Sequence, residues 1–143
     1  MAGTRLIWTT GRKRAGQAEN VRGNERSDLM ILYRPVGYAE LKLIADSGYR
    51  EFPPRLPEQP IFYPVLNEKY AAEIALKWNV RDTSEHKGYI TRFEGDDNYC
   101  RRFEVQTVGK SYHQELWVPA EELEEFNSHI IGNIKVIKEY GEE

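Results

Sequence analysis

The chain has 143 residues, of which 40% are hydrophobic, 12% aromatic and 30% charged, which fits one domain with a single core. Its single cysteine, Cys100, excludes an internal disulfide framework and a cysteine-based zinc site. No apolar run approaches the roughly 18–20 residues that span a bilayer, and the first residues lack the apolar stretch of a secretory signal, so we expect a cytoplasmic protein without a membrane partner.

Charge is distributed unevenly along the chain. Residues 1–29 carry six Lys or Arg against three Asp or Glu, whereas residues 30–143 carry fourteen against twenty. The acidic balance of the second part disfavours binding to nucleic acid, because phosphate backbones repel it. Since residues 1–29 also hold few large apolar side chains, we interpret them as a polar, disordered leader. Residues 30–143 are then a single α+β domain.

The domain is predicted to begin with a strand, a helix and a stiff connection. The apolar run MILYRPV is closed by Pro35, which predicts a strand that ends at Arg34. GYAELKLIADSG is typical of an amphipathic helix with Gly48 at its C-terminal end. The following segment, YREFPPRLPEQP, holds four prolines and predicts an extended, ordered connection.

A second strand and helix follow this connection. IFYPVLN predicts a strand interrupted at Pro64, and Asn67 is well placed to cap a helix over EKYAAEIALKWN. In that helix the spacing of the apolar residues predicts that Trp78 is buried. The alternation in GYITRFE then predicts a strand, and DDNYCRRF a single helical turn.

The last third of the chain predicts a strand near residues 114–118, a short helix over PAEELEEFN and a final strand over GNIKVIKEY. Leu123 and Phe126 are expected to face inward from that helix, and Trp117 is expected in the core. Strands outnumber helices and look half-buried, which favours an α+β fold with a compact mixed, mostly antiparallel sheet or sheets and three short helices.

Several familiar catalytic motifs are missing from the sequence. It contains no phosphate loop, no GxGxxG after a strand, no HExxH and no serine nucleophile elbow. The three histidines, His86, His113 and His129, show no metal-ligand spacing, and the pair Asp96-Asp97 lies in a context more typical of a turn. We therefore predict no metal site.

Four stretches resemble a group of small bacterial proteins labelled ADP-ribosylation/J-crystallin: LYRPVG, FPPRLPEQPIFYPVLNEKYA, ITRFE and HQELWVPAEELEEFN. The resemblance covers essentially all of residues 31–140. The J-crystallin-type ADP-ribosylglycohydrolases are similar in name only, because they are larger all-helical proteins with an acidic dimetal site. The order of elements is instead similar to the ADP-ribosyltransferase fold, a compact α+β unit that holds NAD in a cleft between two small sheets.

The resemblance implies NAD-dependent ADP-ribosyl transfer to a macromolecular acceptor, with NAD as substrate. Such folds carry a basic or imidazole residue at the end of the first strand, an aromatic or hydroxyl residue on the second and a glutamate opening a later strand. Arg34, Tyr63 and Glu115 occupy comparable positions. Glu115 would stabilise the oxocarbenium-like ribose as nicotinamide leaves. Arg34 would pair with the pyrophosphate and Tyr63 would stack on nicotinamide, so we expect all three in one cleft.

Two further candidates and two departures complete this interpretation. His113 could position Glu115 or the substrate, and Arg55 in the proline-rich segment could contact an anion. The sequence lacks a Ser-Thr-Ser element after the second strand, and His113 stands where arginine-modifying transferases have Glu or Gln. The alternatives for Arg34, Tyr63 and Glu115 are a strand-end ion pair, a core residue and a solvent-facing side chain. The alternative function is a non-catalytic nucleotide- or partner-binding module of the same fold.

Overall fold

The computed structural model describes residues 28–80 and 86–141, so nearly all of the expected leader, residues 1–29, lies outside the described residues. The strands are β1 Leu29–Val36, β2 Ile61–Phe62, β3 Lys87–Asp96, β4 Val105–Thr107, β5 Gln114–Leu116, β6 Val118–Pro119 and β7 Ile130–Gly141. The α-helices are α1 Tyr38–Asp46, α2 Glu68–Ile74, α3 Asp97–Cys100 and α4 Leu123–Ser128. A π-helical stretch, Ala75–Asn79, extends α2, and a 3₁₀ turn, Ala120–Glu122, precedes α4.

The strands form antiparallel pairs throughout. β3 lies between β1 and β7, while β2 pairs with β6 and β4 pairs with β5. Val65 joins these parts, because it bridges Tyr33 of β1 on one side and Glu115 of β5 on the other. The predicted α+β class with antiparallel sheets is confirmed. The described residues hold four short α-helices rather than three, since the turn Asp97–Cys100 closes as a helix.

The main core lies on the α1 and α4 face of the sheet and is built on phenylalanines. Phe52 packs against Phe62 with ring centroids 5.1 Å apart and against Phe93 at 4.9 Å. The alternation along β3 buries Tyr89, Thr91 and Phe93, as predicted from GYITRFE. Leu123 and Phe126 of α4 are also buried, as predicted.

A smaller core lies on the opposite face of the sheet, under α2. Its buried members are Val65, Tyr70, Ala71, Ala75 and Ile90. The prediction that Trp78 belongs to this core is wrong, because its side chain is 59% exposed. The helix widens to π geometry at Ala75–Asn79, which changes the angle between successive residues and turns Trp78 toward solvent.

β1 continues past its predicted end at Arg34 to Val36, through Pro35. Tyr33 exchanges two backbone hydrogen bonds with Val65, of 2.9 and 2.7 Å, so its polar backbone groups point away from β3. Pro35, two residues on, points the same way. No described strand pairs with β1 there, so the missing N–H of Pro35 breaks no hydrogen bond.

The proline-rich connection is fixed to the domain at both ends. The side-chain amide of Asn127 accepts from the backbone N–H of Phe52 and donates to its carbonyl, both at 3.0 Å. At the far end the N–H of Ala120 donates to the carbonyl of Pro60 at 2.8 Å. Gly48, before the connection, has the left-handed φ of +78° expected of a helix end. None of the helices in the described ranges is both long and apolar enough to cross a bilayer.

Candidate functional site

The carboxylate of Glu115 is held by two hydrogen bonds on the α2 face of the sheet. Its Oε2 accepts from the Tyr70 hydroxyl at 2.5 Å, and its Oε1 accepts from Nε1 of Trp117 at 2.9 Å. Trp117 stands two residues further along, on the same face as Glu115. Tyr70 is brought over the sheet by α2, whose first turn is capped by Asn67 Oδ1 accepting from the Tyr70 N–H at 2.8 Å. The predicted cap at Asn67 is thereby confirmed.

Tyr70 connects Glu115 to His113. The Tyr70 ring stacks on the His113 ring with centroids 4.4 Å apart and planes at 19°. Burial raises the pKa of Tyr70 above its usual value, and the hydrogen bond to Glu115 raises it further. The hydroxyl therefore stays protonated at neutral pH and remains a donor to the carboxylate.

A second carboxylate, Glu73, holds the loop that precedes β5. It accepts a short hydrogen bond from the Tyr112 hydroxyl and one of 2.9 Å from His113 Nε2. The backbone N–H of Lys110 donates to His113 Nδ1 at 3.1 Å, so the proton of the neutral ring is on Nε2. The hydrogen bond from Tyr112 lowers the pKa of Glu73, and His113 lowers it further. Glu73 is thus ionised and fixes His113 in one tautomer.

These side chains form one connected group, which we call the tyrosine–carboxylate cluster. It consists of Tyr70, Glu73, Tyr112, His113, Glu115 and Trp117. α2 supplies two members and the segment ending in β5 and β6 supplies four. The cluster can present a fixed negative charge at Glu115 beside aromatic rings, and that combination suits a substrate that develops positive charge.

We expect Gly109→Ala to lower the free energy of unfolding by about 1–3 kcal/mol, as overpacking does. A Cβ at Gly109 would overlap with Nδ1 of His113. The His113 ring has no free direction in which to move, because it is hydrogen-bonded at both nitrogens and stacked on Tyr70. Urea unfolding of the single variant measures the loss.

The control for this prediction is the same substitution in a His113→Ala background. Removing the ring removes the overlap, so Gly109→Ala should then cost little. An equal loss in both backgrounds would show that Gly109 is needed for another reason.

Arg34 does not join the cluster, and the expectation that it shares a cleft with Glu115 is wrong. Its Nε and Nη2 donate to the two oxygens of Glu40 at 2.8 and 3.1 Å, and its guanidinium lies 4.8 Å above the Phe62 ring. These contacts are on the α1 face. Tyr33, the preceding residue, is on the face of Val65 and Glu115, and successive strand residues point to opposite faces.

Arg55 lies with Arg34, and Tyr63 lies near both groups of residues. Arg34 and Arg55 line the same cleft between α1 and the proline-rich connection. Burial lowers the pKa of Arg55, the charge of Arg34 lowers it further, and the charge of Glu40 opposes this change. Tyr63 contributes electrostatically to the raised pKa of Tyr70. The Tyr63 ring is 43% exposed, so it is not a core residue.

No match was found among models of protein families, curated proteins or solved structures. Within residues 28–80 and 86–141, no group of three His, Cys, Asp or Glu side chains is arranged to hold a metal ion. The candidate site therefore rests on the geometry of the chain itself.

Four members of the cluster were missed in the sequence: Tyr70, Glu73, Tyr112 and Trp117. Trp117 was expected in the core but is 38% exposed, because β5 and β6 carry it to the sheet surface beside Glu115. A usable signal was present in the dense run Tyr112, His113, Glu115 and Trp117, which places polar and aromatic groups within six residues. Its partners on α2 are about forty residues away in the chain, with Tyr112 and Glu73 separated by 39.

Proposed function

We propose that this chain uses NAD as a substrate and transfers its ADP-ribosyl group to a macromolecular acceptor at the face of Glu115. The observation that carries the proposal is the Glu115 carboxylate, which is held by hydrogen bonds from Tyr70 and from Trp117, a partly exposed aromatic residue. The resemblance to ADP-ribosyltransferases supports the same residue for this role.

The chemistry requires a negative charge that is already in place when the bond breaks. As nicotinamide leaves with the bonding electrons, the ribose becomes oxocarbenium-like, and a nearby carboxylate stabilises that charge. Both oxygens of Glu115 already accept one hydrogen bond, from Tyr70 and Trp117. Each keeps a lone pair, so either can also accept from a ribose hydroxyl. The two donors orient the carboxylate before the substrate arrives.

The neighbouring rings would bind the planar parts of NAD. Tyr63 and Trp117 are both partly exposed, and aromatic rings of this kind stack on nicotinamide or adenine. His113 would act as a positioning residue, because it stacks on Tyr70 and reaches Glu115 only through it. Glu115 is the one group of the cluster that we propose to be catalytic.

A second candidate function is nucleotide binding without chemistry. It is favoured by the placement of Arg34, which is paired with Glu40 on the face opposite to Glu115. A transferase needs a group that draws the pyrophosphate toward the glutamate, and this arginine does not supply one at Glu115. In this case NAD or a related nucleotide would bind at the rings of Tyr63 and Trp117 and stay intact.

The experiment that tests both candidates is a calorimetric titration of the full chain with NAD, followed by chromatography of the incubated mixture for nicotinamide. Transfer predicts saturable binding and nicotinamide release, which an added protein acceptor increases. Binding with intact NAD supports the second candidate. The absence of binding overturns both.

A further inference from the structure

The cleft that contains Arg34 and Arg55 lies between α1 and the proline-rich connection and has a volume of about 320 Å³. This size is near the lower end of the range for small-molecule sites. Its charged residues are Arg34, Glu40 and Arg55, and its apolar rim includes Leu43, Pro54 and Leu56. It opens on the α1 face of β1, opposite to the face that carries Glu115.

The charges in this cleft do not balance. Glu40 pairs with Nε and Nη2 of Arg34, which leaves Nη1 of Arg34 for a ligand. Arg55 has a buried Nε with no hydrogen-bond partner in the described structure. One positive charge is therefore uncompensated, and a buried charged donor without a partner is destabilising. A bound anion would supply the missing counter-charge.

The guanidinium donors and the apolar rim of the cleft indicate which type of anion fits it. A guanidinium presents parallel N–H groups that match the oxygens of a phosphate or a carboxylate. Arg55 and Nη1 of Arg34 together offer donors to more than two oxygens, which favours a phosphate monoester over a carboxylate. Leu43 and Leu56 are 52% and 55% exposed at the rim, so they offer an apolar surface to the group that the phosphate carries.

We propose that this cleft is a second ligand site, separate from the Glu115 face, and that it binds a phosphate monoester with an apolar substituent through Arg55 and Arg34. The inference does not depend on the proposed function, because no group of the tyrosine–carboxylate cluster takes part. Arg55 makes the main contact through its terminal guanidinium nitrogens, since Glu40 pairs with Arg34 and not with Arg55, and Arg34 adds Nη1.

The proposal is tested by calorimetric titration of the full chain at low ionic strength with three anions: phenyl phosphate, inorganic phosphate and benzoate. Phenyl phosphate is expected to bind most tightly. Arg55→Gln should weaken its binding about tenfold or more, as loss of a charge-assisted hydrogen bond does. The matched control is Arg50→Gln, which removes an exposed arginine from outside the cleft lining and should leave binding unchanged.

Two more measurements test the role of the apolar rim and exclude unfolding as the cause of lost binding. Leu56→Ser should weaken phenyl phosphate and leave inorganic phosphate unaffected. The thermal midpoint of Arg55→Gln should not fall, because the substitution removes an uncompensated charge, so lost binding cannot be attributed to unfolding. Equal losses in Arg55→Gln and Arg50→Gln, or no binding of any of the three anions, would overturn the proposal.

Competition with NAD distinguishes this inference from the proposed function. If NAD displaces phenyl phosphate in a simple competitive manner, the cleft belongs to the NAD site and the separate site is disproved. If phenyl phosphate binds and NAD does not, the proposed function fails and the second site stands.

Discussion

Replacing Phe126 with alanine is expected to lower the free energy of unfolding by about 3–5 kcal/mol, a large part of the 5–15 kcal/mol typical of a domain. Phe126 is 1% exposed, and its ring lies 5.6 Å from Phe62, 6.1 Å from Phe93 and 6.2 Å from Tyr99. These partners belong to β2, β3 and α3. One ring therefore ties three elements to α4, and its removal leaves a cavity that none of them alone can fill.

Equilibrium unfolding in urea measures this loss. The matched control is Trp78→Ala, which removes a larger aromatic side chain from a site that is 59% exposed. The control should cost much less, since surface substitutions are usually small in effect. If both variants lose the same free energy of unfolding, the buried ring of Phe126 contributes no more to stability than an exposed aromatic ring does.

Under the proposed transferase function, Glu115→Gln is expected to lower NAD turnover by about 10²-fold or more while NAD binding changes little. Glutamine can keep both hydrogen bonds, because its carbonyl oxygen accepts from Trp117 Nε1 and its amide donates to the Tyr70 hydroxyl oxygen. The variant thus removes the charge and preserves the packing. A fall in turnover without loss of binding would show that the negative charge of Glu115 stabilises the transition state and not the bound NAD.

Nicotinamide release at saturating NAD gives the rate, and calorimetry gives the binding constant. Glu124→Gln, an exposed glutamate on α4, is the control for the loss of one negative charge. An unchanged rate of nicotinamide release in Glu115→Gln would show that Glu115 is not catalytic. The same variant should retain the wild-type thermal midpoint within a degree or two, which excludes unfolding as the cause.

Local sequence patterns predicted the elements in which one side chain decides the conformation. Asn67 caps α2, Gly48 adopts a left-handed φ, and the alternation of Tyr89, Thr91 and Phe93 buries one face of β3. Each of these features depends on neighbours a few residues away. The strand β4, Val105–Thr107, was missed because three residues make too short a run, and its pairing with β5 is not visible in its own sequence.

The site was predicted in part, and the errors concern which face a side chain takes. Glu115 and His113 do lie in one connected group, although the link between them is Tyr70, a helix residue. Arg34 was placed on the wrong face because that choice depends on the register of β1 against Val65, more than thirty residues away. A shift of one residue in that register would exchange Arg34 and Tyr33.

The junction at Val65 also has a mechanical consequence. Its two hydrogen bonds with Tyr33 are the whole backbone connection between β1 and the segment that carries β2, within the described residues. Either sheet can keep its own ladder intact if this joint opens. The resistance to such a hinge motion then comes from the side chains packed on both faces of the joint: Phe52 contacts both Phe62 and Phe93 on one face, and Val65 packs with Ala71 and Ile90 on the other. The stiffness of the domain at the Val65 joint therefore depends more on side-chain packing than on backbone hydrogen bonds.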